Sequence, residues 1–501
     1  MSSAAPSRGH GPVSSGRLLP LLLGGVTLCA LAVAAQGAVL TLLLAMLLPI
    51  GTLLLVRHPD AATSLAALIL YTNAVAVALH VHGAPSIVAA FPLMLGLPIA
   101  RDLLFRGWMP VATSALPFIM AFFVVQFIGT LLAHRPEDAM EGLETFALEG
   151  LLLYVLFTNA IRTPAVLKQV VWALIAAGAG MGALAAYQHL TGSYDRDFGG
   201  FSRIDADGIG FYTSGLEGAD APRQRRLGGP LGMPNRFAQI MAMLVPIALF
   251  QIRAVRAWAG KLAAAVGLVA ILVGCALGFS RGAAVSLVLT FGLMFVMGYV
   301  RPRHLLAAAL ALFCVALVVP QYAIRLASLG DVAKLSANSS GPGLENADSS
   351  TRGRMTEMAT AVLVFADHPI IGAGPRMYRE HYVEYARIAG GRVRGGPRQA
   401  HNLALHIAAE HGMLGLLAFA GIIIVTFRDL TRARRRLERL RPDLAWIVVG
   451  LFFALVVYLT TSIFLHAAYV RYFWFVLAVA AAASQMRPET DTSAPMRLTR
   501  A

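Results

Sequence analysis

Cysteine and charge are both scarce in this chain, and each scarcity excludes something. Cys29, Cys275 and Cys314 are the three cysteines of 501 residues. They stand far apart inside apolar blocks, so neither a disulfide framework nor a metal-ligand spacing can be assembled from them. Their plain reading is that of small buried side chains. Charged residues make up 13% of the chain, against roughly 25% in soluble domains. Signature motifs are missing too. There is no Walker loop, no HExxH and no GxSxG, which removes the usual marks of P-loop nucleotidases, zinc peptidases and α/β-hydrolases. Asp195-Arg196-Asp197 and Asp205-Ala206-Asp207 have the spacing of a metal-binding Asp-x-Asp. Both sit in turn-rich sequence that does not resemble a nucleotide-sugar site. The GxG at Gly372–Gly374 lacks the strand-to-helix context of a phosphate loop.

What the chain has in abundance is apolar length. Hydrophobic residues account for 57%, in blocks of the size that crosses a bilayer, about 20 residues. Candidate spans fall at 18–35, 38–56, 61–81, 85–100, 108–133, 146–161, 166–190, 236–252, 259–279, 282–300, 304–321, 402–427, 444–466 and 469–486. The expectation is an all-α polytopic membrane protein with 12–14 transmembrane helices. Arg8 and Arg17 precede a first block that runs straight into a second, as in a retained first span, not a cleaved signal.

The net charge of +15 would suggest nucleic acid in a soluble protein. Here much of the excess lies in alternate short loops: Arg57, Arg101 and Arg106; Arg162 and Lys168; Arg253, Arg256 and Lys261; Arg301 and Arg303; and the run Arg428–Arg441. The positive-inside rule puts those loops and both termini in the cytoplasm. The expected layout is a tail at 1–17, spans over 18–321 with an outer loop at 191–235, a large outer loop at 322–401, C-terminal spans over 402–486 and a tail at 487–501. Within the large loop, Thr351–Asp367 has helical apolar spacing and reads as an amphipathic helix on the membrane surface, ended by His368-Pro369.

Several side chains stand out for chemistry. The large outer loop is rich in arginine, including Arg354, Arg376, Arg379 and Arg398. The positive-inside rule gives no reason for that, whereas an anionic ligand does, because the guanidinium fork matches phosphate oxygens. A surface balanced by acidic neighbours is the bland alternative. Arg281 sits in GCALGFSRGAAVSLVL between two apolar blocks. Charge at membrane depth is costly, so Arg281 either meets a phosphate or snorkels to headgroups. His401 and Asn402 stand where the loop meets the next apolar block. Imidazole can take a proton from a hydroxyl near neutral pH, although position alone favours an interfacial histidine that only hydrogen-bonds. His406, at i+5, falls off the face of His401, and Glu410 and His411 lie two turns further in.

Four segments taken together, RLGGPLGMPNRFAQ (226–239), GFSRGA (278–283), GRMTEMATAVLVFADHPIIGAGPRMY (353–378) and HNLALHIAAEHGMLGLLAF (401–419), resemble the bacterial O-antigen ligase/polymerase family. The resemblance covers about 226–420. It implies a GT-C-like membrane fold with helices in a large periplasmic loop, at the bacterial inner membrane with the active site facing the periplasm. It implies an undecaprenyl-diphosphate-linked glycan as donor and no cofactor or metal. Carried over, Arg226, Arg281 and Arg354 contact the donor diphosphate, His401 is the general base, and Asn402 helps place the acceptor. For a ligase the acceptor is lipid A–core, whose phosphates Arg376, Arg379 and Arg398 could hold; the other partners are membrane lipids, with no nucleic acid. A polymerase is a rival, and Arg379 to Gly390 fits its Arg-x10-Gly spacing, with no match in the first loop. A protein O-oligosaccharyltransferase is a second rival, usually with a longer C-terminal extension. A transporter of anionic lipid would need charge in mid-membrane, where only Glu149 and the Glu410–His411 pair are found.

Overall fold

The computed structural model describes residues 58–84, 95–96, 99–100, 103–104, 110–204, 226–303, 349–390, 398–465 and 470–487. The spans expected at 18–35, 38–56 and 304–321, and most of 85–100, lie outside the described residues. The helices in chain order are α1 (Pro59–Tyr71), α2 (Ala74–His80), α3 (Leu116–Leu132), α4 (Pro136–Thr145), α5 (Leu153–Ala160), α6 (Pro164–Thr191), α7 (Pro234–Ala254), α8 (Trp258–Leu277), α9 (Arg281–Val296), α10 (Ser349–Asp367), α11 (Tyr378–Ile388), α12 (Leu403–Leu437), α13 (Pro442–Thr461) and α14 (Val470–Gln485). The strands β1 (Arg203–Ile204) and β2 (Leu227–Gly229) pair antiparallel.

The chain is an all-α multi-pass membrane protein. Among the described residues α6, α7, α8, α12 and α13 are long and apolar enough to cross a bilayer, and α1 with α2 makes a sixth if their 58° bend lies within one span. Close contact between spans comes from small residues, since apolar side chains gain little by leaving lipid for each other. On α6, Gly178 and Gly182 face α8, and a Cβ on Gly182 would strike the Ala270 carbonyl. A Cβ on Gly274 would come within 2.9 Å of Gly182 Cα. A buried polar clasp joins α7 to α13, with Gln239 Nε2 donating to Thr461 Oγ1 at 2.9 Å and to Ser462 Oγ at 3.0 Å.

The basic loops gather at one end of the bundle. Lys168 reaches Asp443 at 2.6 Å, Arg253 donates to the Tyr299 carbonyl, and Arg434 lies over the Tyr299 ring. Arg436 caps the last turn of α14 through the carbonyls of Ser484 and Met486, as cations do at helix C-termini. The starts of α7, α9 and α12 lie at the other end.

Two expected spans are built differently. The block at 146–161 belongs to a longer helical run. It begins at Pro136 and passes through a π-helical turn, Phe146–Leu152, into α5. The block at 402–427 belongs to α12, which is broken at Gly412 (φ 63°, ψ −164°). Arithmetic explains the break. At about 1.5 Å per residue, the 35 residues of α12 outrun the 20 of α13. Yet Leu403 N–H donates to the Ser462 carbonyl at the end of α13. The half-helix before Gly412 therefore turns aside, and only the second half runs along the bundle.

A broken helix leaves orphan backbone groups that must be satisfied. The HPIIGAGP stretch does this. Ala373 and Gly374 N–H donate to the carbonyls of Ala409 and Glu410, while Met413 and Leu414 N–H donate to the carbonyls of Pro369 and Ile370. The amphipathic helix expected over 351–367 is present as α10, which with α11 forms a small core around Ala361, Val364, Tyr378 and Tyr382.

Candidate functional site

At the end of the bundle away from the basic loops, a cavity of about 690 Å³ opens between α3, the π-turn, α7, α12 and α14. Five arginines line it, Arg226, Arg236, Arg376, Arg379 and Arg398. His401, His406, Glu410 and His411 run down the side formed by α12. The floor is aromatic: Phe146 meets Trp474 edge-on at 5.2 Å between ring centroids, Trp474 meets Phe473 at 5.2 Å, and Phe473 stacks on Tyr458 at 4.9 Å. A smaller pocket of about 80 Å³ adjoins it and shares Arg226, Asn235 and Leu465. Arg226, Arg281 and Arg354 line this small pocket together with Ser280.

The local sequence places each arginine of the triad. Ser280 caps α9, its Oγ accepting from Ala283 N–H, so Arg281 is the first residue of the helix. Arg226 stands immediately before β2, and its guanidinium is held by the Gly278 carbonyl (2.8 Å) and Asn235 Oδ1 (2.6 Å). That ties the segment before α7 to the turn before α9. Arg354 lies on the first turns of α10. Residues 128 positions apart in sequence thus share one pocket of positive charge, the setting in which a phosphate oxygen is favoured.

His401 does not sit on α12. Its backbone is left-handed (φ 50°) and it precedes the N-cap Asn402, so the helical-face argument that separated it from His406 does not apply. Both histidines line the cavity. Nδ1 of His401 lies 2.9 Å from the Gln399 carbonyl and 2.7 Å from Glu357 Oε2. A carbonyl oxygen only accepts, so Nδ1 is the nitrogen that carries hydrogen, and the neutral ring keeps its lone pair on Nε2. Glu357 is 1% exposed, on the buried face of α10, and its own carbonyl accepts from Tyr378 Oη at 2.6 Å.

The other expected site residues divide. Arg379 and Arg398 line the cavity. Arg376 also lines it but is ion-paired with Glu141 on α4, which places it as a strut between α4 and the loop as well as a charge. Asn402 is engaged at both ends of its amide: Oδ1 accepts from Leu405 N–H at 3.0 Å, and Nδ2 donates to the Ile463 carbonyl at 3.2 Å. It caps α12 and fixes the backbone beside His401, and it does not line the cavity. Sequence reasoning missed Glu357, Arg236, Gln126 and the aromatic floor. Glu357 carried a signal. It is the one carboxylate on the face of α10 that Thr356, Thr360, Ala361 and Val364 turn inward, where a charge needs a partner.

These features define a multi-pass helical membrane protein with a polycationic cavity and, at its wall, a histidine beside a buried carboxylate. Residues 266–420 match the family model described as O-antigen ligase. The match includes Arg281, Arg354, Glu357, Arg398 and His401, and leaves Arg226 outside. Among curated proteins, no significant match to the chain is found.

Proposed function

We propose that this protein is a glycosyltransferase that moves an O-antigen polysaccharide from undecaprenyl diphosphate to lipid A–core on the periplasmic face of the inner membrane. The observation that carries the reading is the triad Arg226, Arg281 and Arg354 in one small pocket beside the cavity that His401 lines. A diphosphate is a good leaving group once its charge is met, and preorganised guanidinium groups can supply that charge. The acceptor hydroxyl oxygen attacks the anomeric carbon while its proton passes to Nε2 of His401. The bond from that carbon to the diphosphate oxygen breaks, and undecaprenyl diphosphate leaves in the grip of the arginines. A single displacement inverts the anomeric centre. The Gln399 carbonyl holds the imidazole in the tautomer this step needs, and the buried Glu357 carboxylate beside it stabilises the imidazolium that forms, as the buried carboxylate of a Ser-His-Asp triad does.

The reading is tested by deleting the gene and analysing surface lipopolysaccharide. Bare core together with polymeric glycan on the lipid carrier is the expected result. Single repeat units on the core would instead mark a polymerase.

Two substitutions probe the chemistry. Arg281→Lys keeps the charge but loses the fork, and transfer is expected to fall about ten-fold or more; wild-type rates would make Arg281 a snorkelling residue. Glu357→Gln keeps shape and burial while removing the charge. The rate in a purified transfer assay is expected to drop by 10²-fold or more, by analogy with about 10⁴ for the equivalent change in a serine-protease triad. An unchanged rate would remove Glu357 from the mechanism.

A further inference from the structure

The inner end of the cavity holds polar atoms that neither the diphosphate clamp nor the base uses. Glu410 Oε1, Gln126 Nε2 and His411 Nδ1 are buried and make no hydrogen bond, in side chains 5%, 3% and 7% exposed. All three residues line the same cavity. Buried polar groups are nearly always satisfied in native proteins, and a cluster of exceptions calls for a ligand or a function. Here the exceptions converge from different elements. Gln126 comes from α3, one turn after Phe122, whose ring meets His411 edge-on at 5.1 Å. Glu410 comes from the half-helix of α12 and touches His406 Nε2 with its other oxygen at 3.3 Å.

We propose that this inner end is a subsite for an uncharged, hydroxyl-rich sugar ring, held by Glu410, Gln126 and His411 against Trp474 and Phe146. The proposal rests on the glycosyl-transfer reading and extends it. A carboxyl group in the wall disfavours a phosphate or a sugar acid. Hydroxyl groups both donate and accept, so one ring can meet a carboxyl oxygen, an amide nitrogen and an imidazole nitrogen at once. The apolar C–H face of a pyranose matches an aromatic wall, and Trp474 and Phe146 present one. Glu410 lies about 10 Å along the helix from the residue after Asn402. A ring bound there is therefore a neighbour of the reacting sugar, not the reacting sugar itself.

The chemistry could belong to either glycan, donor or acceptor, and one experiment separates them. Full-length protein in lipid nanodiscs is assayed with purified undecaprenyl-diphosphate-linked glycan and lipid A–core, each titrated in turn, for wild type, Glu410→Gln and Gln126→Leu. The expected result is a rise of about ten-fold in the KM of one substrate, larger than any fall in kcat, with a Tm no lower than that of wild type. A shift in acceptor KM assigns the subsite to the acceptor, and a shift in donor KM assigns it to the donor. Unchanged KM values for both, or a lowered Tm with a matching loss of kcat, would overturn the proposal. Binding of phosphate-free glycan and core oligosaccharide prepared from the source cells is measured on the same three proteins. If wild-type protein binds one of these and both variants bind it ten-fold more weakly, the subsite stands even where no transfer is seen, and the transferase reading alone falls. No binding to wild-type protein in an inactive preparation would sink both.

Discussion

A His401→Ala protein should accumulate and fold normally yet lose glycan transfer by about 10³-fold, within the 10² to 10⁴ that a general base contributes. The stability half of this expectation follows from where the residue sits. His401 is half-buried at the cavity wall, outside any helix, and its flanks are pinned without it by the Asn402 cap and by the bond from Leu403 N–H to the Ser462 carbonyl. Two costs remain: alanine in the left-handed conformation costs about 1–2 kcal/mol, and the buried Glu357 carboxylate loses the imidazole beside it. Asparagine tolerates the conformation. His401→Asn therefore removes the base while sparing the backbone, and it should be as inactive as the alanine variant with a Tm closer to wild type. Measured single-turnover rates with Tm for both variants decide the matter. A fully active asparagine variant would remove His401 from proton transfer.

The second large effect concerns shape, not chemistry. Gly412→Ala should prevent the protein from reaching its native fold. At φ 63° and ψ −164° the residue occupies a region open essentially to glycine alone, at a cost to others of about 1–3 kcal/mol. A Cβ there would also drive into the Ile370 carbonyl and lie 2.6 Å from Gly372 N. Gly372 (φ 81°) is the mirror case, since a Cβ on it would strike the backbone of Glu410 and His411. Backbone atoms cannot move aside like the tip of a side chain, so the segment and the half-helix would have to separate. The expected readout is loss of the monodisperse peak in size-exclusion chromatography, or a fall in Tm of about 10 °C or more. A normal profile would mean that the break in α12 is not needed. Gly192→Ala makes a control, because a Cβ there meets nothing within 4 Å, although φ is again positive (63°).

Much of the architecture could be read from the sequence because the bilayer demands long apolar blocks and the blocks here are plain. The spans at 166–190, 236–252, 259–279 and 444–466 have counterparts in α6, α7, α8 and α13 within two or three residues at most ends. The helix over 351–367 was legible from its apolar spacing and its His368-Pro369 stop. The break at Gly412 was not. Glycine inside an apolar run usually marks tight packing, and nothing local shows that a segment forty residues upstream will supply the missing hydrogen-bond partners. The arginine triad was legible as residue types, while its meeting in one pocket depends on the tie from Arg226 to Gly278 and Asn235. Glu357 was overlooked because a glutamate in an amphipathic helix ordinarily faces water, and its partner His401 lies 44 positions away. Asn402 was assigned to the acceptor by the family resemblance alone, while an asparagine directly before a helix also reads as a cap, which the structure shows it to be.

The seam between 369–374 and the halves of α12 consists of four bonds, all between peptide groups. Every residue type except proline has such a donor, and every type has the acceptor. The seam thus asks nothing of the side chains at Ile370, Ile371 or Ala373 beyond fit, and everything of the three positions that must lack a Cβ, Gly372, Gly412 and Gly374, the last with φ 105° and a Cβ that would lie 2.8 Å from the Gly129 carbonyl oxygen. Mutational tolerance should be distributed accordingly, broad at the non-glycine positions of the inserted segment and almost nil at Gly372, Gly374 and Gly412. The wall that carries His401 and Glu410 is in this way insulated from most sequence drift around it.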